Sequence, residues 1–80
     1  MSRARDVVAV IARALASRPE DVQVDEVERR GQTVVELTMA PGDLGRVIGR
    51  QGRTATALRT LAAAAGELDG KHAVVDFRDE

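Results

Sequence analysis

Apolar residues recur along this chain at two different periods. Val7, Ile11 and Leu15 fall four apart, with Val8 and Ala12 beside them, which predicts an amphipathic helix over residues 3–17. Pro19 cannot continue that helix, and Arg18 before it is pushed toward extended backbone. The period then drops to two. Val22 and Val24 alternate with Gln23 and Asp25, which reads as a strand. Val27 breaks the alternation and predicts a bulge or a strand end there. Arg29-Arg30-Gly31-Gln32 reads as a turn. Val35, Leu37 and Met39 alternate with Val34, Glu36 and Thr38, giving a second strand. So short a connection makes the pair an antiparallel hairpin.

After Pro41-Gly42, Asp43 reads as the N-cap of a short helix that carries Leu44, Val47 and Ile48 inward. Gly49-Arg50-Gln51-Gly52 interrupts the chain. A further helix runs from Arg53 to about Ala65, with Leu58, Leu61 and Ala65 at helical spacing. Gly66 is expected to end it, with Leu68 as the apolar contact of a Schellman motif. Asp69-Gly70 is a turn, and Ala73, Val75 and Phe77 alternate along a last strand. The order is α-β-β-α-α-β, an α+β domain. Two helices between the second and third strands allow a right-handed crossover and a parallel pairing. The expected architecture is a three-stranded mixed sheet with three helices on one face. A helix and strand over 3–28 and a core over 31–79 form one domain spanning 1–80.

Composition narrows the function. The chain has 80 residues, of which 44% are hydrophobic, but many of those are alanine. A domain this small buries only about 60% of its unfolded surface, so a partner subunit covering an exposed face would add stability. Without cysteine there is no disulfide, thiolate ligand or cysteine nucleophile. No apolar run is long enough to span a membrane, and the start lacks the pattern of a signal peptide. A cytoplasmic location is expected. His72 has no second histidine or cysteine to share a metal with, so neither metal nor cofactor is expected. Carboxylates are scattered and the serines have no histidine near in sequence, so the chain is read as a non-enzyme. One phenylalanine with no tryptophan or tyrosine argues against domains that read bases on aromatic platforms.

The net charge of −1 hides an asymmetry. Between Leu44 and Gly66 stand Arg46, Arg50, Arg53 and Arg59 with no acid. That segment forms a local anion-attracting surface on an acidic body. At its centre is Gly49-Arg50-Gln51-Gly52. Two glycines permit a tight turn without Cβ atoms in the way, so a bulky backbone can approach. The next helix begins at once, and its unpaired N–H groups face the same space. Arg46, Arg50 and Arg53 supply guanidinium forks for phosphate oxygens. A Walker A loop is excluded because Val47 and Arg53 stand where it needs glycine and lysine. A dinucleotide fingerprint fails at Val47 as well. Taken alone, two glycines at this spacing also suit a plain helix–helix turn.

The stretch from Met39 to Ala55, with Val47-Ile48-Gly49-Arg50-Gln51-Gly52-Arg53 at its centre, resembles the core of a KH domain. The continuation Ala57-Leu58-Arg59-Thr60-Leu61 is similar too. Nearly the whole chain resembles the small bacterial single-KH proteins of the KhpA family, with the type II KH order. The resemblance implies an RNA-binding protein, an RNA chaperone or post-transcriptional regulator, that holds about four nucleotides of single-stranded RNA. Gly49, Arg50, Gln51 and Gly52 would contact phosphates, with Arg46 and Arg53 flanking them. Ile48, with Val47 or Leu44, would floor an apolar groove. Val74 or Val75 and the Leu68–Lys71 loop would form its opposite wall. The implied partners are a second copy, or a larger KH/R3H protein of the KhpB or Jag type. Such pairs are tied in some bacteria to cell shape and wall biogenesis. The alternative is a protein-interaction module that dimerises with another KH protein while that partner holds the RNA.

Overall fold

The computed structural model describes residues 2–79, without the side chains of Arg50 and Asp79. Helix α1 spans Arg3–Leu15. The strands β1 (Gln23–Arg29) and β2 (Gln32–Met39) follow, then helix α2 (Asp43–Ile48). A single turn over Arg50–Gly52 leads into helix α3 (Arg53–Leu68), and β3 (His72–Asp79) completes the fold. The sheet order is β1-β2-β3. The first pair is antiparallel, with Val24 opposite Leu37, and the second is parallel, with Val35 beside Val75. The helices cover one face, as expected for the α-β-β-α-α-β order.

The core lies between that face and the helices. Val24, Val35, Leu37, Met39, Ala73 and Val75 project into it from the strands. Strand β1 runs without the bulge expected at Val27, which pairs with Val34 in unbroken register. The alternation fails because Glu26 occupies a position on the helix side. Its carboxylate accepts the Ser2 hydroxyl at 2.6 Å, and Ser2 in turn caps α1 by accepting the Arg5 N–H. A polar residue there anchors the helix start. Val74 lies on the opposite, uncovered face beside Val34, so it cannot wall a groove on the helical side.

Helix α1 is turned differently from its expected face. Its buried residues are Ala4, Val8, Ala9 and Ala12, while Val7 and Ile11 are half-buried and Leu15 is exposed. The small stripe lets α1 approach its neighbours closely, which larger side chains would prevent. On α3 the core side is Ala55, Leu58, Ala62, Ala65 and Gly66. Leu61 is instead half exposed and Leu68 is 73% exposed, so Leu68 makes no capping contact.

Gly66 does not end α3. It sits inside the helix because a Cβ there would lie 2.7 Å from the Ala73 Cβ on β3. The absent side chain sets how closely α3 meets the strand. The Schellman motif does form, four residues later. The Lys71 N–H donates to the Gly66 carbonyl and the Gly70 N–H to the Glu67 carbonyl, each at 2.9 Å.

Candidate nucleic-acid interface

Helix α2 is positioned by a buried carboxylate. Asp43 occupies its first turn, one residue inside the expected cap, because Gly42 takes the N-cap position. Asp43 is only 4% exposed. It accepts the Ser17 hydroxyl at 2.6 Å and the Arg18 N–H at 3.0 Å, and Arg46 lies 3.7 Å away. The Ser17 hydroxyl chiefly holds its pKa below the usual carboxylate value, aided by the Arg18 N–H and the Arg46 charge. The same bonds draw Ser17 and Arg18 away from α1, which ends two residues earlier than its apolar period suggests. Asp43 thus ties the end of α1 to the helix that leads into the glycine turn. Nothing in its local sequence pattern signals this pairing.

The turn itself is tightly wound. The Gly49 N–H closes α2 on the Gly45 carbonyl at 3.0 Å. Gly49 then adopts φ 75° and ψ 177°, a region essentially reserved for glycine. Gln51 and Gly52 follow with φ of 58° and 71°, both left-handed. A Cβ on Gly49 would stand 2.9 Å from the Thr54 Cβ and collide with its hydroxyl. Thr54 is therefore a turn residue that the motif alone does not reveal. Gly52 is the N-cap of α3 and offers no side chain to its first N–H groups. Those donors point outward from a 16-residue helix, whose dipole adds positive potential at that end.

Of the expected contacts, Gly49, Gln51, Gly52 and Arg53 meet at this turn. The Arg53 guanidinium donates to the Gln51 side-chain oxygen at 3.1 Å. The Arg50 backbone belongs to the turn; its side chain lies outside the described residues. Arg46 projects from α2 and is largely exposed, with part of its charge balanced by Asp43. Ile48 and Leu44 are half-buried and available as an apolar floor. Val47 is fully buried and supports that floor from beneath, so it cannot touch a base directly. The Leu68–Lys71 loop lies at the far end of α3, about 24 Å along the helix axis. There Asp69 accepts the Arg3 N–H at 2.9 Å. On β3, Val75 is buried in the core, and half-buried Phe77 packs against it with Arg59 of α3 above its ring.

Residues 5–77 match the family model described as KhpA/KhpB, KH domain. The chain belongs to that family. It is 51% identical over 72 residues to the RNA-binding protein KhpA of Mycobacterium tuberculosis, covering 89% of each chain. It is 43% identical over 73 residues to RNA-binding protein KhpA of Clostridium perfringens, covering 91% of this chain and 97% of the relative. The protein of the same name from Aquifex aeolicus is 42% identical over 77 residues, covering 96% and 98%. As a KhpA/KhpB KH domain the chain has its glycine turn, α2 and the start of α3 inside the matched region. Among the described residues no helix is long and apolar enough to cross a membrane.

Proposed function

We propose that this protein binds single-stranded RNA, with the Gly49–Gly52 turn clamping the backbone. The observation that carries this reading is the uncapped start of α3 behind a turn of left-handed residues, flanked by Arg46 and Arg53. A phosphate held there meets backbone N–H donors and guanidinium forks at once. The relatives' name, RNA-binding protein, supports RNA as the ligand. Leu44 and Ile48 offer the bases an apolar floor. The role is non-catalytic, that of a cytoplasmic RNA chaperone or post-transcriptional regulator.

Three or four phosphate contacts give log K against log salt a slope of about −2 to −3 for a single strand. Fluorescence anisotropy with a short single-stranded RNA tests both the slope and the site. The double substitution Arg50→Asp, Gln51→Asp places two carboxylates where phosphate would sit and leaves the buried faces alone. It should abolish binding while circular dichroism remains that of the wild type. Equal binding by both proteins would move the RNA to another surface.

A second reading is favoured by one observation. Val10 on α1 and Leu61 and Leu68 on α3 are large apolar residues exposed on the helical layer. We infer that this layer covers a second copy or a larger KH/R3H protein, and that pairing places two clamps on one RNA. Leu61→Asp with Leu68→Asp should leave a monomer by sedimentation with RNA affinity per site little changed. If the partner holds the RNA instead, the isolated wild type will show no binding even at low salt.

A further inference from the structure

Arg59 belongs to the arginine-rich segment of the sequence, and the structure gives it an aromatic neighbour. It lies on α3 six residues beyond Arg53, about 9 Å along the axis. Its guanidinium carbon stands 4.8 Å from the centroid of Phe77. Phe77 is the only aromatic residue in the chain. It is half-buried on β3, beside Leu37 of the central strand and packed against the core. Arg59 itself is exposed. Among the described residues it has no carboxylate within ion-pair distance. A half-buried ring thus holds an exposed guanidinium on α3, the helix that starts at the glycine turn.

We propose that Arg59 and Phe77 form a base platform, in which the ring orients the guanidinium and the guanidinium stacks one nucleobase of the bound RNA. This deepens the clamp reading and rests on it. A guanidinium is planar, delocalised and weakly hydrated, so its face accepts a base as an aromatic ring does. Contact with Phe77 restrains the side chain before RNA arrives, which lowers the ordering cost of stacking. The pair also answers how a chain with one aromatic residue holds a base by stacking. The ring is spent on the arginine, and the arginine meets the base. Stacking of this kind tolerates any base.

The test couples protein and RNA substitutions. A short single-stranded RNA is compared with versions carrying one abasic site at each position in turn. Affinity is measured by anisotropy for the wild type, Arg59→Ala, Arg59→Lys and Phe77→Leu. In the wild type, losing the base at one position should weaken binding about tenfold. That penalty should shrink to about twofold or less in all three variants. Arg59→Lys keeps the charge and should keep the salt slope, so loss of the penalty there isolates the planar face from simple attraction. Melting of Arg59→Ala should stay within about 8 °C of the wild type, as for loss of one exposed cation–π contact. An abasic penalty of equal size in wild type and Arg59→Ala overturns the platform. In that case continued loss of binding by Arg50→Asp, Gln51→Asp leaves the clamp standing. Wild-type binding by that double variant removes the clamp and the platform with it.

Discussion

The two glycines of the turn are not equivalent, and replacing each with alanine measures the difference. At Gly49 the backbone has φ 75° and ψ 177°, where a side chain costs about 1–3 kcal/mol in strain. The added methyl also meets Thr54. It would lie 2.9 Å from the Thr54 Cβ, whereas carbon atoms rest about 3.5–4.0 Å apart. Crowding of this kind costs about 1–3 kcal/mol when neighbours cannot yield. Part of each cost is relieved by relaxation, so Gly49→Ala should destabilise the domain by about 2–4 kcal/mol. At Gly52 the backbone is left-handed, with φ 71° and ψ 13°, and a Cβ would meet nothing within 4 Å. Gly52→Ala should cost only about 1–2 kcal/mol. In a domain of this size 1 kcal/mol moves the melting midpoint by about 4–8 °C.

Urea denaturation followed by circular dichroism gives both values, and RNA anisotropy on the folded variants follows. A third variant, Gly49→Ala with Thr54→Ala, removes the hydroxyl that collides with the new methyl. It should recover part of the Gly49→Ala loss and leave the backbone strain. Equal losses at Gly49 and Gly52, with no relief from Thr54→Ala, would refute the reasoning. The turn would then be set by something other than the Gly49–Thr54 approach.

Two further outcomes follow from the same structure. Gly66→Ala should destabilise by about 1–2 kcal/mol although alanine favours helix by about 1 kcal/mol, because its methyl overpacks against Ala73. Ala73→Gly in the same chain should remove most of that loss, and a rise in melting temperature for Gly66→Ala alone would contradict the close approach. The pH dependence comes from Asp43 and Glu26, whose folded-state pKa values lie below their ordinary 3.8 and 4.5. Since the folded state holds these protons less tightly, stability is fully present above about pH 5 and falls as pH drops through the ordinary values toward the lowered ones. Thermal melts from pH 7 to pH 2 should show this decline, and Asp43→Asn should flatten it.

The order of elements, the buried side of β2 and the position of the turn are legible in the chain itself. Alternation through Val35, Leu37 and Met39 specifies which side of β2 is buried, because successive strand residues point to opposite faces. Gly49 and Gly52 mark a turn because only glycine adopts the first of its conformations at low cost. The rest depended on neighbours distant in sequence. Periodicity predicts that α1 is amphipathic, but its rotation follows from how closely Ala4, Val8 and Ala12 can approach. Gly66 looks like a helix stop until β3 places Ala73 against it. Asp43 looks like a cap until the end of α1 brings Ser17 and Arg18 to its carboxylate. Thr54 gains its role from the path of Gly49, and Arg59 finds Phe77 only once β3 lies beside α3. Local pattern encodes backbone geometry, since that is decided within a few residues. Helix rotation, buried polar pairs and contacts such as Arg59 on Phe77 are decided by distances between elements, and those exist only in the folded chain.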